Sequence, residues 1–147
     1  MGPTENPKVI PSRVIRIIAF AMHASILIYG YVLFTVSRSG GWTSSWDMPP
    51  ERKIVFYVLV GMSAVCGALS LLWPRFAKEP LFFDFSTVTQ RIHSLTVLRM
   101  ALAEAIALYG FVLAYLNQSI PLFYPFAAVG LFLQVLVGPF GRFLRGS

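Results

Sequence analysis

Four apolar runs of about 20 residues constrain this chain more than anything else in it, because that is the length a helix needs to cross the ~30 Å hydrocarbon core of a bilayer. They extend from Val14 to Val36, Ile54 to Trp73, Leu95 to Leu116 and Leu122 to Phe140. In lipid every backbone N–H and C=O must find a partner within the protein, and runs of this length achieve that as helices. The expected fold is therefore all-α: a four-span transmembrane helical bundle forming one integral membrane domain over residues 1–147. Charge content agrees, at 12% against about 25% in soluble domains, with a mean hydropathy of +0.70.

Local chemistry sets the predicted edges. Arg13 and Arg16 precede the first run as they would in a signal peptide, but the run exceeds an h-region and the later runs resemble it, so it reads as a retained span. Pro49-Pro50 precedes the second run, and Trp73-Pro74 is expected to end it. Thr87 to Gln90 has the spacing of a capping box and is expected to start the third helix before it enters lipid. Pro139 is expected to stop the fourth.

Cations give a direction. Nine of them, Lys8, Arg13, Arg16, Arg75, Lys78, Arg91, Arg99, Arg142 and Arg145, fall on one side of the four spans, and three, Arg38, Arg52 and Lys53, on the other. The positive-inside rule then places both termini and the middle loop in the cytoplasm. Trp42, Trp46 and Trp73 sit where an aromatic belt would hold them, and Leu81 to Phe85 reads as a short interfacial segment. Placed at helix ends rather than along a stripe, the net charge of +6 suits anionic headgroups better than nucleic acid.

An internal repeat is visible. His23 to Leu33 aligns without a gap on Ala103 to Leu113, both carrying Tyr-Gly followed by an aromatic and Val-Leu. Leu71-Leu-Trp-Pro74 likewise matches Leu136-Val-Gly-Pro139. The chain thus reads as two parallel-repeat hairpins, the first with an outer loop about 15 residues longer, since Gly30 to Pro74 is 44 positions and Gly110 to Pro139 is 29. Chance likeness between apolar helices is the competing explanation.

Within the spans two features bear on function. Ala103, Ala107, Gly110 and Ala114 form a narrow small-residue face on the third helix, and Ser63, Ala64, Gly67 and Ala68 form a comparable one on the second. Such seams let backbones approach closely, within the bundle or toward a partner subunit. Glu104, His23, Gln134 and Ser63 fall at similar depth, one on each helix, when ~1.5 Å is counted per residue. They would form a satisfied polar layer that fixes helix register or a protonatable relay, the remaining alternative being that they share no layer at all. Arg99 precedes Glu104 by five positions, poor spacing for a salt bridge, and is expected to snorkel to headgroups.

Other chemistry finds little to stand on. The lone Cys66 leaves no internal disulfide and reads as a packing residue. His93 lies at the membrane edge and His23 deep, so the two do not make a bis-histidine haem site. No metal, cofactor or enzymatic constellation is expected.

Two resemblances follow from the third helix. Ala101 to Val112, with Glu104-Ala105 and Leu108-Tyr109-Gly110, resembles the carboxylate-bearing helix of rotary ATPase proteolipid subunits. That resemblance implies an ion- or proton-carrying role for Glu104 in an oligomer. Arg99, Glu104, Ala107, Leu108, Gly110 and Pro139 are also similar to the pattern of a family of small uncharacterised bacterial four-span membrane proteins, which implies architecture without an activity. The expected function is a non-catalytic accessory or structural subunit of a bacterial inner-membrane complex, partnered by the lipid bilayer and by other membrane subunits or copies of itself. The alternative is a proteolipid-like translocating component using Glu104.

Overall fold

A computed structural model describes residues 12–46, 48–76 and 88–138. Among them are four α-helices: α1 (Ser12–Ser37), α2 (Lys53–Phe76), α3 (Val88–Asn117) and α4 (Phe123–Val137), with short 3-10 turns at Pro50–Arg52 and Ile120–Leu122. All four spans, Arg13–Ser37, Pro50–Trp73, Ser94–Asn117 and Ile120–Val137, are long and apolar enough to cross a membrane. The molecule is a four-span helical bundle.

Helix α3 is the axis of the bundle. It packs against α1, α2 and α4, whereas α1 and α2 scarcely touch each other. Met100, Ala103, Ile106, Ala107, Leu113 and Ala114 are buried along it, the three- and four-residue spacing of a helix that meets neighbours continuously. Opposite them lie Phe123, Phe126, Ala127, Gly130 and Leu133 of α4. A Cβ at Gly110 would come within 2.4 Å of the Phe126 Cβ, and one at Gly130 within 2.9 Å of the Ala103 carbonyl oxygen. The α3–α4 contact is thus a backbone-close one that only glycine permits at these two points. It uses the small-residue face of Ala103, Ala107, Gly110 and Ala114 inside the chain.

Burial on α2 is inverted relative to a soluble helix. Among its described side chains only Ser63 and Ser70 are buried, while Ile54 and Tyr57 are exposed. With lipid as solvent there is no hydrophobic drive to turn apolar side chains inward, so on this helix the hydroxyls go in and the hydrocarbon faces out. On α1 the buried positions are Ile15, Ala19, Ile26 and Leu33, a single stripe.

Two helix ends differ from the sequence expectation. Pro74 does not end α2, which continues to Phe76. Proline within a helix leaves the carbonyl four residues earlier without its donor, and here that carbonyl, on Ser70, accepts instead from Arg99 Nε at 2.5 Å. Ser70 Oγ in turn donates to the Arg99 carbonyl at 3.1 Å. Arg99 therefore reaches across to α2 rather than only to headgroups. The fourth helix stops at Val137, three residues before the expected Phe140, with Gly138 extended at φ −74 and ψ 179. That is the conformation favoured just before a proline. The Thr87 cap, the Leu81 to Phe85 segment and the residues from Pro139 onward lie outside the described residues.

At the end opposite the α2–α3 connection, the long α1–α2 loop is strapped to the short α3–α4 turn. Thr43 N–H donates to the Gln118 carbonyl at 2.8 Å, and the buried Ser119 Oγ donates to the Ser45 carbonyl at 2.6 Å. Arg52 donates to the Leu116 carbonyl, supplying one of the orphan acceptors at the end of α3. Gln118 takes a left-handed φ of 51 to make the turn. Trp42 packs edge-on to Tyr115, ring centroids 6.2 Å apart, while Trp46 is exposed.

Candidate functional site

Glu104 projects from α3 toward α1, where two hydroxyls meet it. Ser25 Oγ donates to its Oε1, and Tyr29 Oη donates to the same oxygen at 3.2 Å. Ser25 and Tyr29 are four residues apart, so one face of α1 presents both donors one turn apart. The Tyr29 ring leans on Phe111 of α3, centroids 5.4 Å apart, which fixes the direction of its hydroxyl. The carboxyl group is part-buried, and its placement joins α1 to α3.

The network extends to a third helix through a backbone oxygen. Ser25 Oγ also lies 2.7 Å from the Met22 carbonyl, which accepts from Gln134 Nε2 of α4 at 3.5 Å. Met22 O is thus shared by Ser25 and Gln134, and the sequence Glu104, Ser25, Met22 O, Gln134 links α3, α1 and α4. Gln134 is fully buried, and its Oε1 has no hydrogen-bond partner among the described residues. A long amide bond on one side and an orphan acceptor on the other make this the least satisfied point of the network.

Proton bookkeeping shows what the arrangement can do. Ser25 has one hydroxyl proton and two acceptors, Glu104 Oε1 and Met22 O. With a neutral acid, Glu104 donates to Ser25 Oγ while Ser25 donates to Met22 O. With a carboxylate, the Ser25 proton turns to Glu104, and Met22 O keeps Gln134 and its own helical N–H. Rotation of one hydroxyl therefore accommodates either state without moving a helix.

Of the four residues expected to share a layer, the structure links Glu104 and Gln134 through Ser25 and the Met22 carbonyl, while His23 and Ser63 each bond within their own helix. His23 Nδ1 donates to its own helix, at the Ala19 carbonyl 2.6 Å away. Ser63 donates to the Leu59 carbonyl at 2.8 Å and lies on the α2 side of the bundle. Ser25 and Tyr29 were missed by the depth argument, which took the most polar side chain of each helix. Their four-residue spacing on one face was the available signal. Cys66 is half-buried against the core. Among the described residues, no three His, Cys, Asp or Glu side chains come together as a metal ion would require.

A second feature lies on the other side of α3. An apolar groove of about 770 Å³ runs between α2 and α4, with Ile106 of α3 at its floor. The small residues Ala64, Gly67 and Ala68 of α2 line one wall.

No protein-family model, curated protein or solved structure matches the chain.

Proposed function

We propose that this protein is a non-catalytic accessory or structural subunit of a bacterial inner-membrane complex, with both termini in the cytoplasm. The observation that carries this reading is the engagement of the Glu104 carboxyl by Ser25 and Tyr29 of α1, which uses an ionisable group as an interhelical clasp. A carboxyl group held this way fixes the register of α1 on α3. The broad outward faces of α1 and α2, including Phe20, Ile54 and Tyr57, leave apolar area for neighbouring subunits as well as lipid. The similarity of Arg99, Glu104, Gly110 and Pro139 to the small bacterial four-span pattern fits this reading, and the two-hairpin repeat would be its evolutionary origin. Purification in mild detergent, followed by mass spectrometry of the intact assembly, tests it. A fixed set of larger subunits is the expected result; an isolated monomer, or a ring of identical chains, overturns it.

The second reading is proton or ion translocation through Glu104. It is favoured by one observation, the contact of the Glu104 carboxyl with the Ser25 hydroxyl, whose rotation between Glu104 and the Met22 carbonyl suits either protonation state, and by the resemblance of α3 to proteolipid helices. Labelling of Glu104 by a hydrophobic carbodiimide, together with proton flux in reconstituted vesicles that Glu104→Gln abolishes, would establish it.

A further inference from the structure

The groove between α2 and α4 has a chemistry of its own. Its lining is hydrocarbon from end to end: Phe56, Val60 and Leu71 on the α2 wall, Val129 and Phe132 on the α4 wall. Away from the Trp46 end its one polar side chain, Ser63, is 8% exposed and already donates to the Leu59 carbonyl. A ligand with a polar head buried in the groove would meet no free donor, so the occupant of the groove itself is a hydrocarbon chain. From Phe56 to Leu71 the groove follows α2 for roughly 22 Å at ~1.5 Å per residue. One leaflet is only ~15 Å deep, so a chain entering at Phe56 stays within the walls for the whole depth of its leaflet.

The mouth of the groove supplies the other half of the recognition. Lys53 lies three residues before Phe56 and seven before Val60, on the same helical stripe and one turn above the first lining residue. It is exposed, beside Glu51 and Arg52, and Arg52 is already turned to the Leu116 carbonyl. Trp46, 60% exposed, lines the same end. A lysine that can reach headgroup level and an amphipathic indole at one end of a hydrocarbon trough match a phospholipid with an anionic headgroup. We infer that the α2–α4 groove is a binding site for one anionic phospholipid, with an acyl chain along Val60, Gly67 and Leu71 and the headgroup at Lys53 and Trp46. The site lies on the opposite side of α3 from the Glu104 network and does not depend on either reading of that network.

The test is native mass spectrometry of the full chain released from vesicles containing equal phosphatidylglycerol and phosphatidylcholine. The expected spectrum shows one retained phosphatidylglycerol per chain. Ala64→Trp should fill the groove and remove the bound lipid, and Ala68→Trp repeats that test one turn along. Val65→Trp, on an exposed position outside the lining, should leave retention intact. Lys53→Gln should lower the preference for phosphatidylglycerol about fivefold, the effect of one basic residue near an anionic surface. Circular dichroism and a monodisperse elution profile on each variant separate lost binding from lost folding. Equal retention by Ala64→Trp, Ala68→Trp and the wild type overturns the inference, as does equal retention of the two lipids by the wild type. A dimer that dissociates with Ala64→Trp also overturns it, and gives the groove to a second copy of the chain.

Discussion

Hydrogen-bond satisfaction of Glu104 separates the two roles open to it. In a static clasp, Glu104→Gln keeps an acceptor for Ser25 and Tyr29 and removes an ionisable group from the bundle, so fold and assembly should be retained. Glu104→Leu removes the acceptor that both hydroxyls share, leaving Ser25 its bond to the Met22 carbonyl, and should lower stability by about 1–3 kcal/mol, read as a shift of the unfolding transition in detergent. Tyr29→Phe keeps the ring on Phe111 and loses one hydrogen bond, an expected loss of about 1 kcal/mol. An amide cannot exchange a proton at neutral pH, so normal assembly with abolished flux in the Gln variant would instead assign Glu104 to transport. Sequence made Glu104 and Gln134 legible because each is a large polar group in an apolar run. Ser25 was not, since a serine inside a helix ordinarily bonds back to its own turn, and Ser25 does that as well as reaching Glu104.

Among the elements, α2 and α3 are held by an exchange that hydropathy does not reveal. Pro74 removes the donor that the Ser70 carbonyl needs, and Arg99 Nε replaces it. Arg99→Ala should therefore destabilise the fold by roughly 1–3 kcal/mol. In a Pro74→Ala background the same change should matter less, because residue 74 regains the N–H that Ser70 requires. A double-mutant cycle of unfolding free energies measures that coupling, and strict additivity would remove the exchange from the account. A proline read one-dimensionally ends a helix, and here a donor 29 residues beyond the orphaned Ser70 carbonyl rescues it, so this edge could not be read locally. The α3–α4 seam was more legible, because small residues at helical spacing have few uses in lipid other than close packing. Gly110→Leu forces its side chain into Phe126 and should impair folding by about 1–3 kcal/mol or more. Phe111→Leu, at a half-buried position, should cost clearly less in the same assay.

For the molecule as a whole, the four spans were legible because lipid enforces their length and composition, whereas the arrangement of the spans was not. Two similar hairpins would suggest two similar helix pairs, yet α3 and α4 pack closely while α1 and α2 are attached mainly through α3. Burial on α2 falls on the hydroxyls of Ser63 and Ser70, and the α3–α4 contact follows a small-residue seam, features to which hydropathy is nearly blind. Orientation is a property of this same scale. The strap between Thr43 and Gln118, with Ser119 on Ser45, brings the α1–α2 and α3–α4 connections to one end of the bundle. That end carries Arg38, Arg52 and Lys53, while Arg13, Arg16 and Arg99 lie toward the other. Because the α3–α4 turn from Asn117 to Leu122 contributes no Lys or Arg, the charge imbalance across the molecule rests on the connections at the opposite end. Reporter fusions at Gly40 and at Ser147 should accordingly respond in opposite compartments, the second in the cytoplasm. Introducing two lysines into the α3–α4 turn, for example Gln118→Lys with Ile120→Lys, should weaken that bias without inverting it, since nine cations would then face five. Fusions reporting a single compartment would exclude the even number of crossings on which the bundle, its groove and its clasp all depend.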